Sequence, residues 1–277
     1  MPVSKLKNLA LLILLLANLA LLAVVVPNEV SQRQEAARQR QFLQALYAQE
    51  DVTLDPDSVP ETVTLYTLQL EENPEADLLA ATALLGEQVL VQDDSTRYLS
   101  IYRSQNGTCS IGRSGSFQAS LEQQPEVRSI GPATERVLKD MGFQWHALSE
   151  PQRIRPGVYT VSTAQSILGV PVFSRGLTLT WSNNALHHLE GDFFTGTTSM
   201  ARVSDQACIS AADALVHFLS ARFELGWMGS TVVGMEQGYL RSETAAAATV
   251  QLTPVWRLDT DTGSFYINGI SGEVTAA

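Results

Sequence analysis

Lysine all but disappears from this chain after its first few residues: beyond Lys5 and Lys7, only Lys139 occurs in 277 residues. With 18 basic and 29 acidic residues the formal net charge is −11. A nucleic-acid binder neutralises phosphates with clustered Lys and Arg, and a surface for anionic lipid needs a basic stripe, so neither nucleic acid nor anionic lipid is a partner of the body. Cysteine is scarce as well. Cys109 and Cys208 are the 2 cysteines, and no C-x-x-C occurs, which excludes a redox motif, a zinc ribbon and a disulfide-dense scaffold. One bridge and two buried free thiols both stay open. The 18 glycines and 11 prolines are too few for collagen-like repeats, and 45% apolar residues exclude wholesale disorder.

The apolar residues are unevenly spread. The first 27 residues hold 20 of them and no acid. From Leu9 to Val26 the run is interrupted only by Asn18. At the helical rise this spans roughly 27 Å, close to the hydrocarbon thickness of a bilayer. A cleaved signal peptide shares the charged head and apolar stretch, but its apolar core is usually about 7–15 residues. No clean small-x-small site follows here, so an uncleaved signal anchor is expected. Lys5 and Lys7 mark the short side as cytoplasmic; Arg33, Arg38 and Arg40 pull the other way from farther off. The expected location is therefore a single-pass cell-membrane protein, N-terminus inside and body outside. A lone Asn18 in such a helix seeks a hydrogen bond, which makes it the candidate contact with a partner helix.

The body, 28–277, reads as α+β. A polar helix is expected over 28–50, with Phe42, Leu43, Leu46 and Tyr47 on one face. Asp51–Pro60 reads as a loop and Thr62–Leu70 as a strand. Pro74 and Gly86 bracket a helix. Asn106-Gly107 marks a hairpin between strand-like runs at Thr96–Arg103 and Cys109–Leu121, and a turn explains this Asn-Gly-Thr better than a glycosylation site does.

An internal repeat follows. A helix at Pro132–Gly142 precedes strands near Val158–Ser166, Pro171–Trp181 and Ala185–Phe194, with a turn at Asn183-Asn184. A second helix, capped by Ser210 and running to Arg222, precedes strands near Ser230–Leu240, Thr249–Asp259 and Ser264–Ile270. Pro171-Val172-Phe173 echoes Pro254-Val255-Trp256, and Glu190-Gly191-Asp192 echoes Gly272-Glu273. The expected organisation is a head and anchor (1–27), a juxtamembrane helix (28–50), an N-terminal α+β domain (51–127) and a C-terminal one (128–277). The last of these holds two repeats, at about 130–203 and 204–277.

Reacting groups are few. Gly112-Arg-Ser114-Gly-Ser116 lacks the glycine two places after the serine that a nucleophile elbow needs, and reads as a hairpin arm. His188, Glu190 and Asp192 would share one strand face with His187 on the other; without a third histidine they read as a solvated face rather than a metal site. His217 reads as a core histidine, and His146 as a loop residue with no pairing implied. Gly263 and Gly269 belong to turns rather than to a phosphate loop. Asp259 and Asp261 could form a hydrolase pair, but an acid-rich turn accounts for them. Trp181, Trp227 and Trp256 are expected in the core. No catalytic, metal-binding or cofactor-binding residue is nominated.

The segment Pro254–Val274, with an aromatic after Pro-x and a Tyr266-Ile-Asn268-Gly-Ile-Ser-Gly272-Glu273-Val274 end, resembles the last strands of PepSY-type modules. The whole layout is similar to that of YycH/YycI-type membrane-anchored regulators of Gram-positive two-component systems. The specific letters cover the final segment and a looser echo at Gly169–Asp192; Asp51–Gln123 matches no motif. The resemblance implies a fold ending in PepSY-like helix-plus-three-strand units. It also implies a non-catalytic regulator of a membrane sensor histidine kinase linked to cell-wall metabolism, with a related regulatory protein as a further partner. Two other readings are a PepSY-like inhibitor or chaperone of an exported peptidase or wall enzyme, and a carboxylate hydrolase acting on the wall.

Overall fold

A computed structural model describes residues 38–277 apart from 71–72, 95–97, 123, 174–175, 196–199 and 243–249. The apolar run at 9–26, with Asn18, lies outside the described residues. Among those residues, no helix is long and apolar enough to cross a membrane. Among the described residues the body is α+β, with four α-helices and two sheets.

Helix α1, 38–49, buries Leu43 and Tyr47, while Phe42 faces outward. The Tyr47 hydroxyl donates to the Leu215 carbonyl at 2.8 Å and so ties α1 to α4, Ala211–Ala221. The Arg222 guanidinium, itself buried, reaches Glu50 at 2.7 Å and repeats the tie one turn on. Ser210 caps α4 as expected, accepting from the Asp213 N–H at 3.1 Å.

The seven-stranded sheet joins both ends of the described chain. Its order is β1 (Thr53–Leu54), β14 (Thr231–Ser242), β15 (Val250–Thr260), β16 (Gly263–Asn268) and β17 (Val274–Ala276). Strand β2 (Tyr66–Leu70) pairs with β15 and with β13 (Met200–Ala207). The expected loop at 51–60 therefore contains a short parallel strand, Thr53 pairing with Thr231. The expected strand at 62–70 is confined to its second half. Pro254 lies inside β15. It is tolerated there because the β2 ladder ends at Leu252 and the β16 ladder begins at Val255, so the missing N–H falls at the changeover.

Between β2 and β13 the chain builds a second, ten-stranded sheet. Its order is β10 (Val170–Pro171), β9 (Val158–Ile167), β11 (Leu177–Ser182), β12 (Ala185–Asp192), β6 (Ser116–Leu121), β5 (Gly107–Gly112), β4 (Leu99–Ser104) and β3 (Leu90–Asp94). Strands β7 (Trp145–Leu148) and β8 (Gln152–Arg155) also pair with β9. The exit and return strands pair with each other, Leu70 opposite Met200, so the second unit is an insertion between neighbours. Sheet pairing thus runs across the expected boundary at 127/128. Helices α2 (Pro74–Leu85) and α3 (Ile130–Asp140) pack on this second sheet.

The repeat is visible in the ladders. After α3, the strands β9, β11 and β12 form an antiparallel meander; after α4, β14, β15 and β16 form another. Asn183 and Asn184 turn β11 into β12 with φ of 49° and 62°, the pair of left-handed residues a two-residue hairpin turn needs. The expected strand Pro171–Trp181 is broken into β10 and β11. The glycine-acid echo does not mark equivalent places. Gly191 sits inside β12, whereas Gly272 turns the chain from β16 towards β17 beneath the His217 ring.

Each unit has its own core, yet the two are joined. Ile167, Val170, Val172 and Phe194 of the inserted unit pack into the core of the seven-stranded sheet. An isolated parallel bridge pairs Val172 with Tyr239, and a Cβ at Gly238 would stand 2.5 Å from the Pro171 carbonyl. A glycine there lets the strands approach.

Candidate functional site

Helix α2 is the most unusual element of the fold. Asn73 caps it, accepting from the Ala76 N–H at 3.1 Å; Pro74 opens it and Gly86 (φ 84°) ends it. Its sequence, Pro-Glu-Ala-Asp-Leu-Leu-Ala-Ala-Thr-Ala-Leu-Leu, is apolar nearly all round. It buries Ala80, Ala81, Leu84 and Leu85 but leaves Leu78 and Leu79 on the surface. A helix of that kind normally has a second surface to cover.

Strand β3, beside it, is an edge. It pairs with β4 on one side and, among the described residues, with no strand on the other. Leu90 is 77% and Val91 54% exposed, so the edge carries aliphatic side chains on both of its faces. Proteins usually blunt such edges. Here the acids Asp93 and Asp94 follow directly, and Asp93 accepts from the Ser100 hydroxyl at 2.9 Å.

Val91 and Asp93 share the face that meets α2, and with Leu78 they rim a cavity of about 290 Å³. Its floor includes Tyr102 and Phe194, and Asp77 stands in its wall. The Asp77 carboxylate accepts a short hydrogen bond from the Thr195 hydroxyl. Arg113 lines the far side, its guanidinium over the Tyr98 ring at 5.6 Å. Burial, followed by the negative charge of Asp77 and then of Asp93, pushes the Tyr102 phenol up to about 12. The cavity therefore sets the aromatic rings of Tyr102 and Phe194 beside the carboxylates of Asp77 and Asp93.

The residues nominated for chemistry are used by the fold. Ser114 lies in the tight β5–β6 turn, where Gly115 has φ 85° and its N–H donates to the Gly112 carbonyl at 2.8 Å. A β-bulge opposite Thr180 and Trp181 puts Leu186 and Leu189 on the core side and leaves His187 off it, a correction to the strict alternation expected. His187 Nδ1 is 3.0 Å from the Leu121 carbonyl. His188 lies 3.5 Å from Glu190 and 3.3 Å from the Ser120 hydroxyl. No group of three or more His, Cys, Asp or Glu side chains is placed to hold a metal among the described residues. His217 is exposed rather than in the core.

Asp261 accepts from the Ser230 N–H at 2.9 Å, and Asp259 from the Ser264 hydroxyl at 2.6 Å, each serving a turn or ladder. His146 is not a loop residue. It stands on β7, with Nε2 2.9 Å from Glu236, whose other oxygen meets Arg257 at 3.1 Å. That chain of polar contacts bridges the two units, and nothing in the local sequence around His146 announces it. Asn106 donates its side-chain amide to the Leu85 carbonyl at 3.0 Å, closing the end of α2. Gly107 (φ 138°) takes the left-handed place in the hairpin, which turns at 105–106.

Trp181, Trp227 and Trp256 are buried as expected. Cys109 and Cys208 are both free and buried, and they belong to different cores, which resolves the open choice in favour of two thiols.

No protein family's sequence model matches the chain, and no curated protein matches it. Among solved structures it is similar to the Bacillus megaterium YpeB C-terminal domain, with a TM-score of 0.37 and 12% identity, over 75% of this chain and 98% of that one.

Proposed function

We propose that this chain is a non-catalytic regulator that works by binding another protein, tethered to the cell membrane by residues 9–26 with its body outside. One observation carries the reading. The candidate reacting groups are engaged in turns, ladders and ion pairs, while Leu90, the most exposed aliphatic side chain of the inserted unit among the described residues, stands on the open edge of β3 beside Val91, with Leu78 and Leu79 on the uncovered side of α2. The layout of anchor, polar helix and repeated α+β units makes a membrane sensor histidine kinase of a cell-wall-related two-component system the first partner. The regulator would act by binding two kinase states unequally.

A second reading keeps the binding and changes the partner. An open edge beside a cavity suits the extended segment of an exported peptidase or wall enzyme equally well, with this chain as its inhibitor or chaperone.

Exchange of the anchor separates the two. Residues 1–27 are replaced by an unrelated single-span helix of equal length, and the output of the signalling system is measured in cells. Regulation through packing with kinase helices predicts loss of control despite normal export. Undiminished control contradicts that mechanism and favours a partner met by the body alone.

A further inference from the structure

We infer that the edge of β3 receives an extended segment of a partner chain that inserts a lysine or arginine side chain, flanked by apolar residues, into the cavity beside α2. The inference rests on the reading of this chain as a protein-binding regulator and names the chemistry of what it binds.

Three features converge on one spot. The first is the edge itself: the outward backbone of Leu90–Asp94 has no neighbouring strand among the described residues, so an incoming strand finds a row of donors and acceptors. The second is periodicity. Side chains of an added strand alternate between faces, and every second one would lie on the side of Val91, Asp93 and Leu78, over the cavity mouth. A volume of about 290 Å³ holds one long side chain.

The third feature is charge. Asp93 at the rim and Asp77 in the wall are carboxylates, and Glu75 and Asp94 lie on the same two elements. Asn73 and the first-turn acids Glu75 and Asp77 meet the positive end of the α2 dipole. Arg113 lies at the far side, over Tyr98. Burial first, and then the charge of Asp77, raises the Tyr102 phenol. A cation on a long aliphatic stem answers both the apolar rim and the acidic wall.

A second copy brings a like net charge of −11 to this acidic face, which opposes self-association.

The test uses the full chain in mild detergent and, as probe, a short acetylated peptide of alternating valine and lysine, labelled for fluorescence anisotropy. A valine–glutamate peptide is the comparison. Hydrogen exchange locates the bound peptide. Binding of the basic peptide only, with slowed exchange at 90–94, is expected. Asp93→Lys weakens it about tenfold, the order of loss for one close charge pair, and lets the acidic peptide bind. Glu135→Lys on α3 changes the net charge equally and leaves binding unchanged. Equal binding of both peptides, equal loss in Glu135→Lys, or protection mapped away from β3 overturns the inference. So does self-association through β3 in place of peptide binding. Normal regulation in cells by Asp93→Lys overturns this site while leaving the regulator reading intact, which the anchor exchange tests separately.

Discussion

Gln165 and Phe194 are joined twice: the Phe194 N–H donates to Gln165 Oε1, and Gln165 Nε2 donates to the Phe194 carbonyl, both at 2.9 Å. A buried side-chain amide thus stands in for a neighbouring strand. Gln237 does the same for Val63, at 2.8 Å in each direction. Gln165 lies on the first strand of one helix-plus-three-strand unit and Gln237 on the first strand of the other. Their surroundings, Ala164-Gln165-Ser166-Ile167-Leu168 and Glu236-Gln237-Gly238-Tyr239-Leu240, align. Each clamp fixes a segment that enters or leaves the sheet without joining it.

Replacing Gln165 by leucine should therefore leave the two buried backbone groups of Phe194 without partners. Each such group costs about 1–3 kcal/mol, so Gln165→Leu is expected to destabilise by roughly 2–6 kcal/mol. Gln165→Glu buries a carboxyl group against the Phe194 carbonyl and should destabilise at least as much as leucine. Denaturant unfolding of the purified protein measures both.

Cys109 and Cys208 should be silent in the folded protein. Burial pushes the Cys109 thiol from its ordinary 9.0 up to about 12, and burial raises Cys208 as well. A thiol-reactive disulfide reagent at neutral pH should label neither until denaturant is added, and then both. Identical mobility with and without reductant should accompany this.

Alkali should unfold the protein. Tyr102 and Tyr239 are both raised from 10.0 to about 12, and Tyr47 is raised further, burial being the leading cause in each. With Cys109, these groups keep their protons in the fold at pH values where the unfolded chain has released them. Their contribution is complete below the unfolded values and is lost as pH rises towards the folded ones. Stability should be level to about pH 8 and then fall by about 1.4 kcal/mol per pH unit for each group engaged. Unfolding midpoints measured between pH 7 and 11 test it; a flat profile contradicts it.

Two glycines should respond differently when changed to alanine. A Cβ at Gly191 (φ 137°) would stand 1.8 Å from the Gly176 carbonyl oxygen in the middle of the sheet. Gly131 lies at the start of α3, directly before Pro132, and beyond its chain neighbours and its own helix backbone a Cβ there meets nothing within 4 Å. Gly191→Ala should destabilise by roughly 2–3 kcal/mol through clash and strained φ. Gly131→Ala should change stability by less than about 0.5 kcal/mol, since helix propensity and the restriction before proline oppose each other. Thermal melting of the two variants checks the contrast.

Local signals in the sequence were faithful to the fold, and distant ones were silent. Pro74 and Gly86 bracket α2, Ser210 caps α4, and Asn183-Asn184 makes its turn, because each of these depends on a few adjacent residues. The partition into two sheets does not. Tyr66–Leu70 pairs with Met200–Arg202 and with Val250–Leu252, and no property of either partner announces the other. Strands β3 and β8 went unread because they are exposed on both faces and show no alternation. The same lack of alternation hid the candidate site: an edge open to solvent looks like a loop until its neighbour β4 is seen. Nothing in the sequence singles out Asp77, Asp93 or Tyr102, which α2 and the strands β3, β4 and β5 bring together.

The central claim is that the β3 edge meets a partner protein at the cell surface. Site-specific photocrosslinking in living cells addresses it, with a photoreactive residue replacing Leu90 in the full-length chain and, as a comparison, replacing the exposed Phe223 of the other unit. The account predicts a covalent adduct from position 90 to a membrane sensor kinase, abolished by Asp93→Lys and absent from position 223. Adducts from position 223 with none from position 90 would contradict it.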